Sequence, residues 1–219
     1  MKRKQFVVIG LGRFGSAIAK ELYELGNDVL AIDADEDRIQ EISNDVTHAV
    51  QADATDENSL RTLGISNFDV AVVTIGSNVQ ASVMAALLVK DLGVKYIITK
   101  AQNELHAKLL SKLGVDRIIF PERDMGIRVA HNLVSSNILD YIELSSDYSI
   151  AEIKTPTEWI GKTLKELNMR SNYGINVMAV KRDNDVNVSP SADDVIVEGD
   201  VIVAIGGAEE INKIEKIVT

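Results

Sequence analysis

The chain has 219 residues with 33 acidic against 23 basic side chains, a formal charge of −10. That balance argues against affinity built on non-specific contact with nucleic-acid phosphates or anionic lipid, so no nucleic-acid partner is expected. It has no cysteine, which excludes disulfide frameworks, thiolate-ligated metals and a thiol nucleophile, and fits a reducing compartment. The longest apolar run, Val83 to Val89, is far short of the ~18–20 residues that cross a bilayer. The basic start Met1-Lys2-Arg3-Lys4 leads straight into a β-like run, which is not the pattern of a signal peptide. A cytoplasmic setting is expected.

Residues 6–10 form a short apolar run ending in glycine, the pattern of a parallel strand buried on both faces. Phe14, Ile18, Leu22 and Leu25 then recur at helical spacing, and Gly26-Asn27 stops the helix. The alternation continues with strand-like runs at 28–33, 47–51, 69–75, 95–99 and 117–120, and helix-like stretches at 35–43, 57–63, 77–91 and 103–113. Six short strands alternating with helices predict an α/β fold with a doubly wound parallel sheet. Pro121 opens a helical segment over 122–137 that ends in Ser135-Ser136-Asn137. Beyond it the pattern changes to β-like runs at 141–153, 175–181 and 195–205, a short helix at 161–167 and a helix from 208, which reads as a small α+β domain. The predicted organisation is a domain over 1–121, a connecting helix over 122–139 and a second domain over 140–219. The second domain is the more acidic, with 15 acidic and 8 basic residues from 140 onward against 18 and 15 before it.

Gly10-Leu11-Gly12-Arg13-Phe14-Gly15 follows a predicted strand and opens a predicted helix, and Asp33 ends the next strand 18 residues after Gly15. In that context the string reads as a dinucleotide-type phosphate turn. Gly10 permits the turn, Gly12 lets backbone approach a pyrophosphate, and Gly15 allows close helix–strand packing. Asp33 would accept hydrogen bonds from ribose hydroxyls, and an acid there disfavours a 2′-phosphate, hence NADP. Arg13 inside the turn would reach a second or third phosphate, which favours ADP or ATP over NAD; the alternative is a solvated helix-start arginine. Asp53-Ala54-Thr55, Gly76-Ser77-Asn78 and Lys100-Ala101-Gln102 fall where the carboxyl ends of the next strands should be. Asp53 would suit an adenine amino group, and Ser77 and Lys100 a second ribose or the phosphates, although Asx and Ser residues also serve there simply as caps. Glu122, just after Pro121, is either a carboxylate favoured by the helix dipole or a ligand for a cation beside nucleotide phosphates.

A catalytic group is harder to find. Tyr96 and Lys100 match a Tyr-x-x-x-Lys spacing, but the run is strand-like and would hold the two side chains ~13 Å apart along the strand. His48, His106 and His131 have no acid at a spacing that makes a dyad. His106 is placed to reach a nucleotide after Lys100-Ala101-Gln102.

These residues, with Pro121-Glu122-Arg123-Asp124-Met125-Gly126, resemble the cytosolic RCK regulatory subunits of bacterial Ktr/Trk-type potassium uptake systems. The likeness covers nearly the whole chain, and the length suits the stand-alone Ktr type with one RCK unit. It implies a Rossmann-like N-domain, a crossover helix and a C-domain in a ligand-gated regulator, not an enzyme. Such subunits form homodimers that assemble into an octameric ring beneath a potassium-translocating membrane subunit, peripheral to the inner face of the cell membrane. ATP and ADP compete at the glycine-rich site, and NAD or NADH binds there in relatives. On this mapping Gly12 and Arg13 contact phosphates, Asp33 the ribose, and Asp53 and Ala54 the adenine region. Gly10, Leu11, Phe14, Gly15, Ile75, Gly76, Ser77, Lys100, Ala101, Gln102 and His106 complete the pocket. Glu122 helps hold a divalent cation, magnesium or calcium. The stretch Arg170 to Asn176 resembles a segment that binds cyclic di-AMP at the C-domain dimer interface: Arg170 would meet a phosphate, Asn176 an adenine or phosphate edge, and Ile175 with Pro190 the base faces. The rival readings are an NAD-dependent oxidoreductase and an NADH/NAD redox sensor.

Overall fold

The computed structural model describes residues 3–134, 138–145 and 147–216, so the predicted Ser135-Ser136-Asn137 stop lies outside the described residues. The chain divides into two compact units, Met1–Pro121 and Glu122–Thr219. The first runs β1 (Gln5–Ile9), α1 (Arg13–Glu24), β2 (Asp28–Asp33), α2 (Glu36–Ile42), β3 (His48–Gln51), α3 (Glu57–Thr62), β4 (Val70–Val73), α4 (Val79–Asp91), β5 (Tyr96–Lys100), α5 (Glu104–Leu113) and β6 (Arg117–Ile119). α6 (Pro121–Val134) links it to the second unit.

All pairings of the first sheet are parallel, in the order β3-β2-β1-β4-β5-β6. β1 and β4 therefore lie side by side where the strand order reverses, the place at which such sheets open a crevice at their carboxyl ends. The strands read as unbroken apolar runs because both faces are covered. Val7, Ile9, Ile32, Val73 and Ile97 pack with Leu60, Ala85 and Val89 of α3 and α4 on one side. Val8, Val29, Ala31 and Val72 pack with Ala19 and Ile42 of α1 and α2 on the other. Polar caps start the helices at the carboxyl edge: Asp35, Asp56, Asn78 and Asn103 each accept a backbone N–H from the first turn of α2, α3, α4 and α5. Gly12 caps α1 without a side chain, which leaves the donors of that helix end open to a ligand.

The second unit contains β7 (Ile138–Glu143), β8 (Tyr148–Lys154), α7 (Leu164–Leu167), α8 (Met169–Tyr173), β9 (Ile175–Arg182), β10 (Asp185–Asn187), β11 (Val201–Gly207) and α9 (Ala208–Lys216). Its sheet is antiparallel, in the order β10-β9-β11-β8-β7. The run expected as one strand over 141–153 is a hairpin: Leu144 and Ser145 N–H both donate to the Tyr148 carbonyl, folding β7 back on β8. β7 begins at Ile138, so α6 stops short of the expected helix end at 139. The run expected at 195–205 is strand only from Val201, because Gly199 turns the chain at a φ of +89°. Trp159 sits in this core, donating Nε1–H to the Tyr173 hydroxyl at 2.9 Å with the rings edge to face. Among the described residues no helix is long and apolar enough to cross a membrane.

One ion pair ties the second sheet to its loops. Arg182 donates from Nε and Nη2 to the two oxygens of Asp200 at 2.8 and 2.9 Å, and Val197 N–H adds a third bond at 2.9 Å. Asp200 is 0% exposed. The Arg182 hydrogen bonds hold its carboxyl below the ordinary 3.8 against the opposing effect of burial. A carboxyl lowered by folding stabilises above its unfolded-state pKa, and that stabilisation is lost as pH falls through the folded-state value. Asp200→Asn is expected to cost the second unit about 1–2 kcal/mol at neutral pH. It should also flatten the loss of stability that wild type shows below about pH 4. Urea unfolding followed by fluorescence of Trp159, the one tryptophan, at acidic and neutral pH measures both.

Candidate functional site

The glycine turn is built by exclusion. A Cβ on Gly15 would lie 1.9 Å from the Gly10 carbonyl oxygen and 2.5 Å from Thr74 Oγ1, and one on Gly10 would lie 2.8 Å from Ile75 N. Gly10 also has a φ of +95°, which L side chains rarely adopt. α1 can therefore press against the ends of β1 and β4 only because these two positions lack side chains. Gly12 differs: nothing lies within 4 Å of a Cβ placed there. Its surroundings are open, as a backbone that a ligand approaches requires.

Hydrogen bonds hold the turn in place. The Thr74 hydroxyl donates to the Gly10 carbonyl and Thr74 N–H to the Ile9 carbonyl. Asp33 is 9% exposed and its Oδ2 accepts the Leu11 N–H at 2.6 Å, while Oδ1 accepts Asp35 N–H at 3.0 Å. Arg38 on α2 pairs with Asp33 at 3.3 Å and with Asp35 at 3.5 Å. Thr74 and Arg38 are site residues that sequence reasoning missed. A threonine closing a buried strand opposite the glycine string is a usable signal for the first. The second shows only as an arginine five residues after Asp33, in the helix that follows.

Arg13, the first residue of α1, is exposed and makes no hydrogen bond or ion pair among the described residues. Asp53 follows β3, with Oδ1 accepting from both the N–H and the hydroxyl of Thr55, and Ala52 N–H joins this segment to the Asp33 carbonyl. The Asp53 side chain is exposed and Ala54 is buried. After β4, Ile75 and Gly76 are half-buried and Ser77 is exposed. Asn78 is the α4 cap, accepting Ala81 N–H. Lys100 ends β5 with Nζ 3.6 Å from where a Cβ on Gly76 would stand, so the lysine leans over that glycine. Ala101 is buried and Gln102 exposed. The structure thus brings the carboxyl ends of β1 to β5 to one edge, with Arg13, Arg38 and Lys100 among its cations and Asp33 and Asp53 among its acids.

Two expectations change. His106 is 1% exposed and accepts Gln102 N–H at Nδ1, so it lies behind the Lys100–Gln102 segment instead of reaching into the crevice. Burial lowers its pKa. Ile175, expected at a base face, is 0% exposed in the core of the second unit. The side chains of Arg170 on α8 and Asn176 on β9 are exposed and without hydrogen-bond partners among the described residues, and Pro190 is half-buried beyond β10. Tyr96 and Lys100 stand at opposite ends of β5, which removes the helical stacking that Tyr-x-x-x-Lys chemistry needs. Glu122 is exposed in the first turn of α6. Among the described residues no three His, Asp or Glu side chains group to hold a metal.

The TrkA-N domain model matches residues 6–121 and the TrkA-C domain model residues 149–219. The chain is 50% identical over 214 residues to Ktr system potassium uptake protein C of Bacillus subtilis (strain 168), covering 98% of this chain and 97% of that protein. It is 38% identical over 215 residues to Ktr system potassium uptake protein A of Vibrio alginolyticus, covering 98% of each. The solved GsuK channel superposes with a TM-score of 0.72 over 99% of this chain at 18% identity, and the chain spans 40% of it, a likeness of fold. Two domain matches in the same order and relatives matched from end to end carry one conclusion: the chain belongs to the RCK subunits of the Ktr potassium uptake systems, whose part is regulatory and not enzymatic.

Proposed function

We propose that the chain senses adenine nucleotides at the carboxyl edge of its first sheet and passes their state to a potassium-translocating membrane subunit. The observation that carries this reading is Arg13, a cation without a partner among the described residues, at the start of α1 that no side chain caps, beside the open backbone of Gly12. Backbone N–H groups there suit a first phosphate and the guanidinium a further one. Asp33 keeps lone pairs for a ribose although it already accepts from Leu11 and Asp35. Asp53 and Ala54 border the adenine end, and Ser77, Lys100 and Gln102 the opposite wall. ATP and ADP are the proposed ligands. NAD or NADH is the second reading, favoured by the acid at the end of β2 and by a relative of the same fold, the GsuK channel bound to NAD.

Glu122 is one carboxylate and does not make a metal site alone. A magnesium or calcium ion there would complete its shell from phosphates and from a second chain. A second chain is part of the reading. Met125, Val129 and Leu133 are exposed at four-residue spacing on α6, an apolar stripe that assembly into a dimer, and an octameric ring of dimers, would cover. The protein would then work in the cytoplasm, peripheral to the membrane through its partner. In the second unit, Arg170 and Asn176 are the proposed contacts for cyclic di-AMP, with Pro190 beside a base; buried Ile175 supports this segment from below.

A ligand biases a two-state ring only through unequal affinity for its states. Arg13→Ala is expected to weaken ATP by about 10- to 100-fold and ADP clearly less, as titration calorimetry reads; equal losses would remove Arg13 as the discriminator. Arg170→Ala should abolish the thermal shift given by cyclic di-AMP and leave that given by ATP intact. A cyclic di-AMP shift that survives the substitution argues against the second site. Val129→Glu with Leu133→Glu should lower the assembly's mass in light scattering while both units stay folded by circular dichroism; an unchanged mass would take the α6 stripe out of the interface.

A further inference from the structure

Three buried polar atoms have no hydrogen-bond partner among the described residues: Ser82 Oγ on α4, Thr99 Oγ1 on β5 and His106 Nε2 on α5. Orphans of this kind are uncommon in folded proteins and each calls for an account. Two of them lie toward the carboxyl edge. Ala101 packs with Ala86 of α4 and Leu110 of α5. Ser82 stands one helical turn before Ala86, His106 one turn before Leu110, and Thr99 two residues before Ala101. Since both helices start at the carboxyl edge, Ser82 and His106 lie toward that edge from Ala86 and Leu110, whereas Thr99 lies inward of Ala101 along β5.

Of the three, His106 also bonds to a segment of the candidate site. Its own N–H is held by the Asn103 cap at 2.9 Å, and its Nδ1 accepts Gln102 N–H at 3.4 Å. An imidazole that accepts at Nδ1 carries its proton on Nε2, and burial favours this neutral form. One nitrogen is employed and the other has no partner among the described residues.

We propose that His106 is a positioning residue of the nucleotide site, acting through the Gln102 backbone to fix the segment that brings Lys100 over Gly76, without touching the ligand itself. This rests on the nucleotide reading above. It makes the two ring nitrogens unequal: losing Nε2 forfeits no bond, whereas losing Nδ1 strands the Gln102 N–H.

The full chain separates them. Asparagine at 106 keeps an acceptor near the Nδ1 position and drops Nε2, glutamine does the reverse, and leucine removes both. His106→Asn is expected to bind ATP within about threefold of wild type, and His106→Gln and His106→Leu about tenfold or more weakly. Amide exchange at Gln102 should speed up by about tenfold in the glutamine and leucine variants and stay near wild type in the asparagine variant. ATP affinity and Gln102 exchange unchanged in His106→Leu, or an asparagine variant as impaired as the glutamine one, overturns the proposal. If wild type binds neither ATP nor ADP, the nucleotide reading fails, while Gln102 exchange still decides whether His106 holds the segment. If His106→Leu does not fold, the comparison of asparagine with glutamine stands without it.

Discussion

The carboxylate of Asp33 on the Leu11 N–H is the bond on which the first unit's site depends. It closes the end of β2 onto the glycine turn that leaves β1, and so sets the direction in which the start of α1 points. A charge-assisted hydrogen bond of this kind is worth about 1.5–3 kcal/mol when buried. Gly10 and Gly15 make it reachable, because a side chain at Gly15 would push α1 off Gly10 and Thr74 and one at Gly10 would strike Ile75. Thr74 then locks the other flank. The open surface at Gly12 is what remains after every neighbouring position has been pinned, so the site is preorganised by its surroundings and not by the ligand.

Asp33 braces the turn, and in the proposed nucleotide site it would also face the ribose, a combination whose cost Arg38 would lower. A carboxylate that is nearly buried beside a phosphate site is repelled by the ligand's charge. The half-exposed guanidinium at 3.3 Å offsets part of that repulsion while leaving the turn's hydrogen bonds alone. The same economy of position appears on the opposite wall, where Lys100 is set by the last residues of β5 and Gln102 by the helix that follows.

The first unit was largely legible in the sequence because its order is local. Strands covered on both faces must be apolar throughout, caps must be Asp or Asn, and Gly10, Gly12 and Gly15 have distinct mechanical reasons at fixed spacing. The second unit was harder to read. Its hairpin between β7 and β8 turns at Leu144-Ser145 without glycine or proline, so the alternation ran on unbroken through 141–153. β10 is an edge strand whose three residues are all exposed and which carries no core pattern. Thr74 depends on which strands become neighbours, and β1 beside β4 is a fact of topology that no window of sequence contains; Arg38 and His106 make local contacts, to Asp33 and Gln102, that leave no periodic pattern in the sequence. Ile175 shows the opposite hazard: a residue carried into a ligand role by resemblance is, in this chain, part of the core.

Among the described residues Arg13 and Arg170 share with Arg117 the lack of a side-chain partner, whereas other arginines are already engaged: Arg3 with Asp28, Arg38 with Asp33 and Asp35, Arg61 with Glu57, and Arg182 with Asp200. An arginine bound internally must give up that partner before it takes an anion, and the exchange leaves little net gain. One without such a partner contributes its full charge-assisted bond to the ligand. If Arg13 reaches only a third phosphate, all of that contribution falls on the difference between ATP and ADP, and a difference is what moves an equilibrium between two shapes. A tenfold preference at one site corresponds to about 1.4 kcal/mol. Repeated around a symmetric ring that changes shape as a whole, such small preferences add, so a modest discrimination at each Arg13 would suffice for a decisive switch.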